Sequence, residues 1–201
     1  MDRRAQRRLD TIEEALDHAV DVMAEGGVGA LTISEVARRM GVRGPSLYKY
    51  FPSLHAVYDA LFARGVLQND AAVRAAVRGL PEGAASLRAA AQAVVRWAVE
   101  NPALSQLLYW RAVPGFQPSE RSFALSVAGM REARGHLAGA VARGELGPHA
   151  DSDDALRLLT VVMSGLLSQQ MANDPGSTYE LGAFTRLTDE ALDMFFDHFS
   201  P

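Results

Sequence analysis

The 201-residue sequence has no cysteine. That excludes a disulfide scaffold, a thiolate zinc site, an iron–sulfur cluster and a cysteine nucleophile. Lysine is nearly absent too: of 20 basic residues only Lys49 is lysine. No long hydrophobic run occurs. The longest nearly apolar stretch, Leu158 to Leu167, contains Thr160 and Ser164 and falls far short of the ~20 residues a membrane span needs. The pairs Arg3-Arg4 and Arg7-Arg8 could open a twin-arginine signal, but Leu9 to Val20 holds Asp10, Glu13, Glu14 and Asp17. No apolar signal core follows, so a cytoplasmic protein without a membrane partner is expected.

Catalytic and metal signatures are missing as well. There is no His-Glu-x-x-His, Gly-x-Ser-x-Gly, P-loop or Gly-x-Gly-x-x-Gly. Asp151-x-Asp153-Asp154 lacks the Gly and distal Glu of a calcium loop, and the 5 histidines are scattered. The expectation is therefore no metal, no cofactor and no enzyme. Catalysis on an apolar small molecule is the remote alternative.

What is present reads as helix throughout, so the fold class is all-α. Thr11-x-x-Glu14 is a capping-box pattern, and Ile12, Leu16, Ala19, Val20 and Met23 follow at helical spacing, ended by Gly26-Gly27. Thr32-x-x-Glu35 is a second such box, with Ile33, Val36, Ala37 and Met40 on one face. Gly41 supplies a left-handed stop, Val42-Arg43 the turn, and Pro45 suits the first position of a third helix bearing Leu47 and Phe51. Pro52-Ser53 breaks the chain before a fourth helix that runs from Leu54 into the seventies. Later helices are expected after Gly83, over Leu104 to Leu108, and at about 119–143, 153–172 and 182–199. With 48% hydrophobic residues, a chain of this size buries about 70–75% of its unfolded surface. It divides into 8–68, with a motif at about 32–51, and 69–201.

Two capped helices joined by Gly41-Val42-Arg43 match a helix-turn-helix, whose second helix enters the major groove of DNA. The formal charge of −4 argues against this only as an average. Residues 1–9 and 33–51 each carry net +3, whereas 10–32 carry −6 and 81–201 carry −5. Arg38 and Arg39 beside the motif are expected to contact phosphate. The arginine-rich segment Arg3 to Arg8 has two readings, an arm reaching a groove or phosphates and a solvated tail.

The stretch from Leu31 to Ser53, LTISEVARRMGVRGPSLYKYFPS, resembles the DNA-binding signature of the tetracycline-repressor (TetR) family. The likeness covers about residues 10–65. It implies double-stranded, palindromic operator DNA as partner, with contacts from Thr32, Arg43, Gly44, Ser46, Tyr48, Lys49 and Tyr50. The family often places Lys at the start of the fourth helix. Here Leu54-His55 stands there, and a phosphate contact would pass to His55 or Ser53.

The resemblance also implies a helical second domain that dimerises and encloses an effector. Helix 153–172 is apolar on two stripes, and the last helix is similarly rich, so both need cover on two sides. A homodimer is expected through Leu159, Leu166, Leu192, Phe195, Phe196 and Phe199. A small hydrophobic effector is expected to meet Trp97, Tyr109, Trp110, Phe123, Met130, Arg134, Met163 and Gln170. Arg134 has the alternative of pairing with an acid. Function follows as a repressor released from DNA by effector, or a constitutive DNA binder without one.

Overall fold

The computed structural model describes residues 3–201, and among them every regular element is helical. In chain order these are α1 (Arg3–Gly26), α2 (Ile33–Arg39), α3 (Leu54–Ala76), α4 (Ala84–Glu100), α5 (Pro102–Tyr109), α6 (Glu120–Ala142), α7 (Asp153–Asn173) and α8 (Thr188–His198). Short 3-10 turns occupy Val28–Ala30, Gly44–Ser46, Pro148–Ala150 and Thr185–Leu187. Two compact units are present: one comprises 1–65 with 102–123, the other 66–101 with 124–201.

In the first unit, α1 begins well before the expected cap at Thr11. Nothing in Arg3 to Leu9 breaks a helix, so Thr11 is interior and its hydroxyl donates back to the Arg7 carbonyl at 2.9 Å. The helix ends where Gly27 turns at φ +80°, a conformation that costs glycine little. Thr32 does cap α2, its oxygen accepting the Glu35 N–H at 3.1 Å. Gly41 at φ +68° then closes α2 with a paired motif. Its N–H reaches Arg38 O at 3.1 Å and that of Val42 reaches Ala37 O at 2.9 Å.

The core of this unit is built from Leu16, Ala19 and Met23 of α1, Ile33, Val36 and Ala37 of α2, and Val57, Leu61 and Phe62 of α3, all buried. Each large apolar side chain there contributes roughly 1.5–3 kcal/mol of transfer free energy. Buried Tyr58 donates its hydroxyl to Val28 O at 2.8 Å, so its polar end is satisfied inside. Helix α5 packs on α1 and buries Leu104 and Leu107. Asp59 accepts the Ser119 N–H at 2.7 Å and the Ser122 hydroxyl at 3.0 Å, tying the start of α6 to α3.

In the second unit α4, α7 and α8 pack on one another, burying Leu87, Val95, Leu159, Leu167, Leu192 and Phe195. Ser152 caps α7, accepting the Ala155 N–H at 3.1 Å. Ser86 of α4 meets His136 Nδ1 of α6 at 2.9 Å. Arg88 of α4 pairs with Asp189 and Asp193 of α8. Gln170 is wholly buried, and its side chain fastens the loop after α7. Its oxygen accepts the N–H of Phe184 at 3.0 Å and of Thr185 at 3.2 Å, while its amide donates to Asp174 O.

Candidate nucleic-acid interface

The segment after α2 is more tightly wound than the expected third helix. Gly44–Ser46 is a 3-10 turn with Pro45 inside it, and residues 47–50 continue as turns. Only a few residues lie between Pro45 and Pro52, too few for helical bonds to propagate from a costly nucleus. Two buried anchors still fix the segment: Leu47 and Phe51 point inward, and the Phe51 N–H reaches Leu47 O at 2.9 Å. That leaves Arg43, Pro45, Ser46, Tyr48 and Lys49 exposed and Gly44 and Tyr50 half-buried. Tyr48, 55% exposed, presents its ring to solvent on the outer side.

Of the nine expected DNA-contacting residues, Thr32, Arg43, Ser46, Tyr48 and Lys49 are exposed and Gly44 and Tyr50 half-buried. Thr32 accepts the Glu35 N–H, which leaves its own O–H free to donate to a phosphate. The other two are committed elsewhere. Arg38 makes two bonds of 2.7 Å to Glu35. Arg39 makes bonds of 2.8 and 2.6 Å to Glu25 and a third of 2.9 Å to Glu35. Glu35, held between two guanidinium groups, has its carboxyl pulled down to about 2. Arg39 thus braces the motif against α1, while Arg38, paired within α2, keeps its side chain largely exposed. Charge counting could not separate these roles, because it does not see which acid each guanidinium meets.

Ser53 caps α3, accepting the Ala56 N–H at 3.2 Å, and the exposed His55 ring stands edge-on to Phe116 at 6.0 Å. Arg8 enters the site from α1. Its guanidinium lies 5.1 Å from the Tyr50 ring centre and donates to Lys49 O at 3.4 Å. Lys49 covers the same ring at 4.8 Å. A hydrogen bond with Thr11, and then Lys49, hold the Tyr50 phenol below its ordinary value.

The residues expected at an effector site divide between the two units. Tyr109, Trp110 and Phe123 belong to the first unit, and Trp97, Met130, Arg134, Met163 and Gln170 to the second. In the second unit an open groove of about 600 Å³ is lined by Trp97 together with Ala72, Ala93, Arg96, Gln92 and Tyr179. Met130, Arg134, Met163 and Gln170 do not line it. Arg134 pairs with Asp151 and lies 3.6 Å from Asp153, which is its alternative reading. Gln170 has its amide spent on backbone. Met163 is buried and Met130 exposed.

The expected dimer set also divides. Leu159, Leu192 and Phe195 lie in the unit's own core, and Leu166, Phe196 and Phe199 are half-buried. On α7 and α8 the large apolar groups left outside are Leu158 and Val161 on α7, the latter 66% exposed, and Met194 on α8 at 75%. A helix apolar on two stripes does not reveal which stripe faces inward. Among the described residues no His, Asp and Glu group could hold a metal ion, and no helix is long and apolar enough to cross a membrane.

Residues 15–61 match the model of bacterial regulatory proteins of the tetR family, and residues 87–195 match a tetracyclin repressor-like C-terminal domain. The chain is 29% identical over 97 residues to the nucleoid occlusion factor SlmA of Haemophilus ducreyi, spanning 48% of each protein. It thus matches about half the length of that curated relative. A protein of unknown function from Rhodococcus sp. RHA1 superposes with a TM-score of 0.78 at 24% identity, over 94% of this chain and 95% of that one. The transcriptional regulator FadR of Bacillus subtilis, in complex with stearoyl-CoA, gives 0.74 at 16% identity over 92% and 97%. The helix-turn-helix, the all-helical fold and the two family matches together place this chain in the tetracycline-repressor family of DNA-binding transcriptional regulators.

Proposed function

We propose that the protein is a dimeric repressor that holds a palindromic operator and is released from it by a small apolar effector. Residues 8–68 would read DNA and 69–201 would dimerise and sense. The observation that carries the DNA-reading role is the outward set Arg43, Ser46, Tyr48 and Lys49, held in place by buried Leu47 and Phe51. Lys49 and Arg43 would supply phosphate charge, and Ser46 and Tyr48 donors and an apolar edge for bases.

The dimer reading is supported by the exposed Leu158, Val161 and Met194 on two helices that pack together. Apolar surface of this kind marks an interface, and two-fold symmetry suits two half-sites one helical turn apart. An apolar effector is supported by Trp97 on an open groove and by the acyl ligand of the structurally similar FadR. Release would work by population shift: effector prefers the form whose recognition turns no longer match the half-sites. The protein would act in the cytoplasm, and no chemical step is needed.

The test selects bound duplexes from a randomised pool, then measures affinity across salt and with hydrophobic compounds added. A symmetric consensus with a steep salt slope supports the reading. Enrichment of no sequence overturns it, and indifference to every compound leaves a constitutive binder in its place.

A further inference from the structure

Among the described residues one buried side-chain polar atom has no hydrogen-bond partner, the amide nitrogen Nδ2 of Asn69. An enclosed N–H without an acceptor is among the costlier features a fold can keep, and native folds keep few. Asn69 is half-buried in the middle of α3, three residues after buried Val66. Ala72 and Ala76 follow it on the same face, at i+3 and i+7 spacing, and both line the open groove of about 600 Å³. From α4 the same groove takes Ala89 and Ala93. These short side chains leave the space between the two helices unfilled. Only residues 77–83 connect α3 to α4, so the helices run antiparallel. Trp97 and Glu100 of α4 therefore belong to the end of the groove toward which Asn69 stands.

We propose that this groove takes an uncharged, flat apolar molecule bearing a carbonyl oxygen, and that Asn69 Nδ2 donates to that oxygen. The inference rests on the effector reading and narrows it to a ligand class. An unpaired donor selects an acceptor, which a hydrocarbon lacks and an ammonium group cannot supply. The charges around the groove select against an acid, because Glu100 and Asp189 both line it. Arg96, the cation in the lining, is spent on Glu180 and stands 4.2 Å from the Tyr179 ring centre. Gln92 is spent as well, donating to Asp189 at 2.6 Å. The large side chains of the lining are Trp97 and Tyr179 and the small ones alanine. Aromatic surface beside an alanine floor suits a flat ligand.

The experiment measures binding to the full chain in the absence of DNA, by calorimetry, with probes of one shape. These are 2-acetylnaphthalene, 2-ethylnaphthalene, which lacks the oxygen, and 2-naphthoic acid, which is anionic at neutral pH. Wild type should bind the ketone roughly tenfold more tightly than the hydrocarbon, the size of one enclosed hydrogen bond, and more tightly than the acid. In Asn69→Leu that advantage should vanish. The ligand-free melting midpoint of this variant should hold or rise, since an orphaned donor is removed. Ala93→Leu, which fills the groove and keeps the amide, should weaken ketone and hydrocarbon together. Equal binding of ketone and hydrocarbon to wild type overturns the proposal, as an amide served by water alone requires. So does preference for the acid, no binding of any probe, a ketone preference that survives Asn69→Leu, or ketone affinity unmoved by Ala93→Leu. Where a variant does not fold, the wild-type comparison decides. A ketone that binds as expected and leaves DNA affinity unchanged counts against the effector reading and not against the site.

Discussion

Arg39 grips Glu25 through two parallel bonds of 2.8 and 2.6 Å across the gap between α2 and the last turn of α1. The same guanidinium holds Glu35 at 2.9 Å, so one arginine fixes both carboxylates that could otherwise repel DNA. Glu25 and Glu35 are both depressed below the ordinary carboxylate range by their arginine partners. A depressed carboxylate stabilises the fold above its unfolded value of 4.5 and loses that contribution as pH falls toward about 2. Thermal melts between pH 5 and about 2 should show a falling midpoint in wild type. Arg39→Ala should start lower at neutral pH and fall less steeply. Its salt slope on DNA should stay near the wild-type value, because that arginine offers no open charge.

Arg43 is the contrasting case, an exposed arginine beside the recognition turn with no side-chain bond among the described residues. Arg43→Ala should weaken binding across all duplexes and lower the salt slope by ~1 per subunit. Tyr48→Ala should instead relax discrimination among base pairs by roughly 1–3 kcal/mol per affected position. Competition binding with single-base variants of the selected duplex measures both. Neither should move the melting midpoint, since both side chains stand outside the core.

Gln170→Leu should be among the more damaging single changes in the second unit. The wholly buried amide serves Phe184, Thr185 and Asp174, and an apolar replacement strands two backbone N–H groups. Each stranded group costs roughly 1–3 kcal/mol, and a midpoint drop of about 2–4 °C accompanies each kcal/mol in a chain of this size. Calorimetry checks it. An unchanged midpoint would show that water or a shifted loop replaces those bonds.

Val161→Glu combined with Met194→Glu should leave the fold intact and give monomers in light scattering, with operator affinity lower by about 10²-fold as bivalency is lost. Leu192→Glu should unfold the protein instead, because that side chain is completely buried. A stable, monomeric Leu192→Glu would restore the original assignment of the interface.

Local chemistry made several element boundaries legible from sequence: Thr32 caps the helix expected of it, and Gly41 closes α2. The start of α1 was not, because a capping pattern announces a helix only where something earlier stops it, and Arg3 to Leu9 contain no breaker. The third helix was over-read because two prolines crowd it. The exposure of Arg43, Ser46, Tyr48 and Lys49 was legible, since their pattern is local. The roles of Arg39 and Arg134 were not, because their acidic partners are decided by folding: Glu25 lies 14 residues from Arg39 and Asp151 lies 17 from Arg134. Which stripe of α7 packs inside its own unit was not legible either, since a two-striped helix takes its orientation from neighbours that the sequence does not name.

The membership of 102–123 in the first unit bears on how such a protein can be taken apart. Leu104 and Leu107 are buried, and the Ser119–Asp59 contact is made by chain that follows the whole of α4. A fragment ending near residue 68 would expose the α1 surface that α5 covers. The DNA reader is therefore not a detachable bead. A chimera that grafts this reader onto another sensor must carry two separate pieces of chain, and a clean cut at 68/69 would yield an aggregation-prone half.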